Sequence, residues 1–209
     1  MRLAPHPPAH LRETPSQTAG PYVHLGLVPA AAGLDRGPAG LAGPIAVAGV
    51  TGERIRIEGR VLDGTGAPLR DAVIECWQAD AAGIYHHPDD PRHAQVARGF
   101  RGWGRVATDA DSGLWGFETI RPGPVPLRDG RVMAPHVALW IVARGINTAL
   151  ATRMYFADAD NAADPLLARI DPPARRATLL AARESGEGMP HYRFDIRLQG
   201  PEETVFLDI

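Results

Sequence analysis

The chain has 209 residues with 22 basic and 24 acidic side chains, a net charge of −2 and a pI near 6.4. That length supports one sizeable core, and the absence of a basic excess argues against a nucleic-acid partner. Every basic residue is arginine, which favours planar, bidentate contacts with anions over a diffuse positive field. Residues 1–15, rich in Pro and His, read as an extended N-terminal arm, and 16–209 as a single domain. No signal-like or membrane-spanning apolar run is found, and the lone Cys76 excludes an intrachain disulfide framework. A cytoplasmic, reducing location is the expectation, with Cys76 as a buried apolar residue.

Residues 29–52 form a long Gly/Ala/Pro-rich connection, and a connection of that length lies over a neighbour or serves function. From Glu53 the pattern changes. Ile55, Ile57, Gly59 and Val61 alternate with Arg54, Arg56, Glu58 and Arg60, the period of a half-buried strand. The turn DGTGAP (63–68) leads to a strand over 72–79, with Trp77 in the core. A hairpin is predicted from 104–108 and 114–120 around DADSG. The run 136–143 is nearly all apolar, as in a strand buried on both faces. A short strand follows at 153–156. Residues 165–170 and 174–182 read as helical, the second entered through Pro172-Pro173. Tyr192, Phe194, Ile196 and Leu198 alternate with polar residues, and a Gly-Pro break leads to a last strand in TVFLDI. About eight short strands and one small helical insertion predict an all-β, two-sheet β-sandwich.

The loop HHPDDPRH places His86, His87 and His93 beside Asp89 and Asp90. Its prolines deny these side chains a common helical face, and a solvated loop is expected. No nucleophile elbow surrounds Ser16, Ser112 or Ser185, and no phosphate-cradling glycine motif is present.

The chemistry concentrates in RPGPVPLRDGRVMAPHVAL (121–139). This stretch resembles the intradiol ring-cleavage dioxygenases, which hold non-haem ferric iron with two tyrosinates and two histidines. Where that family has PGPY and HxH, this chain has Pro122-Gly123-Pro124-Val125 and His136-Val137-Ala138. Its other tyrosine is matched by Tyr85 in WQADAAGIYHH. Tyr85 and His136 remain as two of four ligands, and Val125 and Ala138 cannot donate to a metal. A ferric centre needs about four to six donors, so no metal is expected on this chain. Without one, Tyr85 and His136 read as a buried phenol and a hydrogen-bonded core histidine.

The resemblance extends over most of 14–209, through GRVLDGTGAPLRDAVIECWQADAAGIY, GRVATDADSGLWGFETIRPG and the closing HYRFDIRLQGPEETVFLDI. TPSQTAGPYVHLGL (14–27) and VARGIN (142–147) are similar to the iron-poor chain, alpha, of the family's two-chain members. The resemblance implies a heteromer of alpha–beta units in which the beta chain holds the Fe(3+) and both chains meet a catechol substrate and O2. It further implies that Thr18, Gly20, Pro21 and Tyr22 wall the partner's substrate pocket, with Arg144 at its mouth attracting a substrate carboxylate. Two rivals stay open: a self-sufficient, homo-oligomeric catechol dioxygenase, and a non-enzymatic β-sandwich carrier or scaffold.

Overall fold

A computed structural model of the protein describes residues 17–34 and 44–208. The arm at 1–15 and residues 35–43 of the long connection lie outside the described residues. The elements in chain order are a short helix α1 (Val23–Leu27), then β1 (Arg54–Leu62), β2 (Val73–Gln78), β3 (Trp103–Ala107) and β4 (Leu114–Ile120). The two-residue β5 (Val125–Pro126) and β6 (Val132–Met133) form a separate ribbon. There follow β7 (His136–Val142), β8 (Leu150–Phe156), β9 (Leu180–Glu184), β10 (His191–Arg193) and β11 (Ile196–Arg197).

The all-β architecture expected from the sequence is present, with its two layers joined edge to edge. One leaf holds β4, β1, β10 and β11, and the other holds β3, β2, β7 and β8. β9 pairs with β10 on one side and β8 on the other, so a single nine-stranded sheet wraps around the core. Burial alternates along β1 as the sequence demands: Ile55, Ile57, Gly59 and Val61 point inward. They meet Ile74 and Cys76 of β2, Val137, Leu139 and Ile141 of β7, and Trp115 and Phe117 of β4. A second, smaller cluster packs Tyr155 on the outside of β8 against Leu167, Ile170 and Leu179.

Several expectations are corrected. Trp77, expected in the core, is only half-buried and faces an open cavity, and within 165–170 only the 3₁₀ turn Leu167–Arg169 forms. β7 is not buried on both faces: on its outer side His136 lies buried beside Tyr155, but Ala138 is half-buried and Trp140 exposed, because the smaller cluster covers only that end. Of the helix expected at 174–182, only a 3₁₀ segment at Pro173–Leu179 forms. Leu180 and Ala181 pair instead with Tyr155 and Phe156. The alternating 192–198 is split into β10 and β11, because Phe194 N bonds to Glu58 O and the Asp195 carboxylate takes the Arg60 amide. In place of a last strand in TVFLDI, its described residues contribute an isolated bridge from Leu207 to Ala151. The described part of the long connection is not loose, for Ile45 and Ala46 are in the core.

Gly59 is where the leaf is tightest. A Cβ there would stand 1.8 Å from the Phe194 carbonyl oxygen, backbone that cannot swing away. Gly59→Ala is expected to destabilise the chain by about 1–3 kcal/mol or more. Gly26→Ala, in α1 with nothing within 4 Å of the new methyl, is expected to be neutral or mildly stabilising. Urea unfolding of the two variants checks the contrast, and equal effects would refute it.

Candidate functional site

β2 ends at Gln78 and the chain turns sharply through Asp80, whose carboxylate accepts the amides of Ala82 and Ile84, both at 2.9 Å. Gly83 completes the turn at φ +72, with the Pro124 oxygen 2.0 Å from where a Cβ would sit, so only glycine fits. Tyr85 emerges with its ring stacked on Trp77, the planes 5° apart and centroids 5.9 Å apart. His136, the first residue of β7, is 2 % exposed. Its Nδ1 donates to the Ala134 carbonyl at 2.7 Å, which leaves Nε2 as an acceptor for the Tyr85 hydroxyl at 3.1 Å. Both groups are held neutral. Burial, reinforced by the Arg153 charge, lowers His136 to about 4, and burial raises the Tyr85 phenol above its ordinary value.

Val125 opens β5 and, with Trp77, Tyr85, Leu127 and Met133, walls an open cavity of about 800 Å³. Ala138 lies two residues beyond His136, paired in register with Trp77 on one side and Arg153 on the other. The two heteroatoms that remain bond to each other, and hydrocarbon stands at the other two positions. Such a donor set does not fit a ferric ion. Among the described residues no group of three or more His, Cys, Asp or Glu gathers around a point. The 86–93 loop follows the expected course, with Arg92 and Asp90 paired at 3.0 Å and His86 and His87 toward solvent.

The other sequence-predicted residues gather at the opposite end of β7. Ala19 bridges Arg144, and the Thr18 hydroxyl accepts the Gly145 amide at 2.7 Å while donating to the Ile146 carbonyl at 3.1 Å. Thr18 therefore clamps the TAGPY segment onto the ARGIN turn. Beyond it Gly20 and Pro21 are exposed, and Tyr22 is 74 % exposed at the start of α1. Arg144 is 64 % exposed by side chain and its Nε stands 3.3 Å from an oxygen of Asp71, a residue the sequence did not single out. At about 3.3 Å per residue, the span from His136 to Arg144 is on the order of 25 Å. Arg144 cannot serve the cavity at Tyr85 in its own chain.

A family model described as Dioxygenase matches residues 45–200. The chain belongs to the intradiol dioxygenase family. The protocatechuate 3,4-dioxygenase alpha chain of Pseudomonas putida is 46 % identical over 200 residues, covering 95 % of this chain and 97 % of the relative. A protocatechuate 3,4-dioxygenase beta chain from Burkholderia cepacia is 38 % identical over 165 residues, covering 73 % and 67 %. The catechol 1,2-dioxygenase structure from Pseudomonas arvilla C-1 matches in fold with a TM-score of 0.56 at 21 % identity, covering 84 % of this chain and 67 % of that one. The dioxygenase resemblance read from 121–139 is thus matched across the domain.

The neutral pair has a pH signature. His136 binds its proton less readily folded than unfolded, so the unfolded chain takes up the extra proton as pH falls. Stability from this ring is complete above about pH 6.5 and declines as pH falls toward about 4, by about 3 kcal/mol at most. Urea unfolding at about pH 7 and 4.5 is expected to show that loss, and His136→Leu to flatten it. Tyr85→Phe, which strands the Nε2 acceptor, is expected to cost about 1–3 kcal/mol at neutral pH.

Proposed function

We propose that this chain is the alpha subunit of a protocatechuate 3,4-dioxygenase, working in aromatic-compound degradation in the cytoplasm. The reaction is O2-dependent cleavage of protocatechuate between its two hydroxyls, giving 3-carboxy-cis,cis-muconate. The beta subunit holds the Fe(3+), which supplies the Lewis acidity and the oxygen chemistry. This chain contributes a substrate-pocket wall, an anion-attracting cation and the alpha–beta interface. Its domain runs over 16–209 behind an N-terminal arm at 1–15.

One observation carries the reading: the residues suited to a carboxylated aromatic stand about 25 Å along β7 from the remnants of the iron-ligand set. A chain whose Arg144 cannot reach its own Tyr85 cavity uses that arginine on another chain's pocket. There, the aromatic face of Tyr22 and the close backbone at Gly20 shape the wall, Pro21 fixes the turn, and Thr18 holds the segment in place. Arg144 offers a guanidinium to the substrate carboxylate. No helix among the described residues is long and apolar enough to cross a membrane.

Purified alone, the chain is expected to carry no stoichiometric iron and none of the red tyrosinate charge-transfer absorption. Co-purified with the beta chain, each alpha–beta unit is expected to carry one iron. Iron and colour on the lone chain would overturn the reading in favour of a self-sufficient enzyme. In the heteromer, Arg144→Ala is expected to raise KM for protocatechuate by about tenfold or more, as loss of a charge-assisted contact does, and to leave catechol largely unaffected. Equal effects on both substrates would remove the carboxylate role.

A further inference from the structure

Arg144 has a long side chain on an exposed turn, and such a side chain is a poor anion receptor unless something holds it. We infer that Asp71 is the positioning residue that presents Arg144 to a substrate carboxylate. The inference rests on the role proposed for Arg144 and adds a second residue to it.

The geometry supports it at three points. First, both backbones are pinned. Asp71 precedes Ala72, whose amide and carbonyl are both engaged by Thr108, by its hydroxyl at 3.1 Å and its backbone N–H at 2.9 Å. Arg144 is held by the Ala19 bridge and by Thr18 on the next two residues. Second, the two partners differ in exposure: the Asp71 side chain is 15 % exposed and that of Arg144 64 %. The carboxylate forms the base and the guanidinium the projecting tip. Third, Asp71 engages Nε at 3.3 Å, the stem side of the guanidinium. With Asp71 taken up at Nε, the two terminal amino groups are left to match a second carboxylate bidentately. Arg144 and Asp71 line one cavity of about 540 Å³ together with Asp63, Asn147 and Gln199, which gives the tip room to receive a ligand.

The pairing also sets how the site selects. With Asp71 beside it, Arg144 carries little net charge when viewed from a distance, so recognition depends on docking geometry more than on long-range steering. Removing the carboxylate frees the side chain to sample other rotamers and leaves a bare positive charge. Affinity for the carboxylated substrate falls while its dependence on salt grows.

The test uses the assembled alpha–beta complex with protocatechuate and with unsubstituted catechol. Asp71→Asn is expected to raise KM for protocatechuate about three- to tenfold, with kcat little changed, and to leave KM for catechol unaltered. Its KM for protocatechuate is expected to depend more steeply on ionic strength than in the parent complex. Asp71→Glu is expected to recover part of the loss. In an Arg144→Ala background, Asp71→Asn is expected to add nothing, because the two residues act as one unit. An unchanged or lowered KM in Asp71→Asn, or an equal rise in the Arg144→Ala background, would overturn the inference alone. If Arg144→Ala itself left KM for protocatechuate untouched, the role assigned to Arg144 would fall, and this inference with it. Asp71→Ser, read by the same KM ratio and by thermal unfolding, separates lost positioning from lost folding.

Discussion

The arrangement at Tyr85 and Val125 depends on one buried amide. Gln78, fully enclosed at the end of β2, donates from Nε2 to the carbonyls of Ala79 at 3.1 Å and Ile120 at 2.9 Å, and accepts the Thr119 hydroxyl at 2.9 Å. It joins the ends of β2 and β4, strands from opposite leaves. Each of its side-chain polar atoms is engaged, which is what allows an amide to be buried without penalty. From those two strand ends depart the turn that carries Tyr85 and the turn that carries Val125. A further bond from Gly123 N to the Asp80 carbonyl at 2.9 Å ties the turns together. Removing the Gln78 amide would orphan three partners at once, and both walls of the cavity would lose their common reference.

Much of the fold is legible because one-sided burial imposes a period of two, and a period can be read locally. β1 and β4 follow the residues predicted for them, since Ile55, Ile57 and Val61, like Trp115 and Phe117, need no distant information to face the core. The segment Leu179–Ala182 is different. Its apolar run suits a helix or a strand equally, and the hydrogen bonds offered by Tyr155 and Phe156 decide it. Ile45 and Ala46 were hidden by their Gly/Pro-rich surroundings, which lack any period although both side chains enter the core.

The site divides the same way. Tyr85, Val125, His136 and Ala138 stood out because the PGPY and HxH motifs of the resembled family can be compared letter by letter with PGPV and HVA. Thr18 and Arg144 were marked, but not their junction, for a hydroxyl clamp across 127 positions has no local trace. Asp71 left no signal at all. An acidic residue between Arg70 and Ala72 is an ordinary turn residue, and only the tertiary path of the chain brings it to Arg144.

Arg153 adds a constraint at Tyr85 and His136. In register opposite Ala138, with one terminal nitrogen 3.2 Å from the Met133 sulfur, it disfavours protonation of His136 and opposes the burial effect on Tyr85. The Tyr85–His136 pair, neutral and closed on itself, has little left to offer chemically. β7 thus joins an inert end to an end where Arg144 projects into solvent, and the rigidity of a paired strand keeps the two about 25 Å apart. On the proposed division of labour that separation is what matters: the chain's chemistry faces outward, toward a site completed by another subunit.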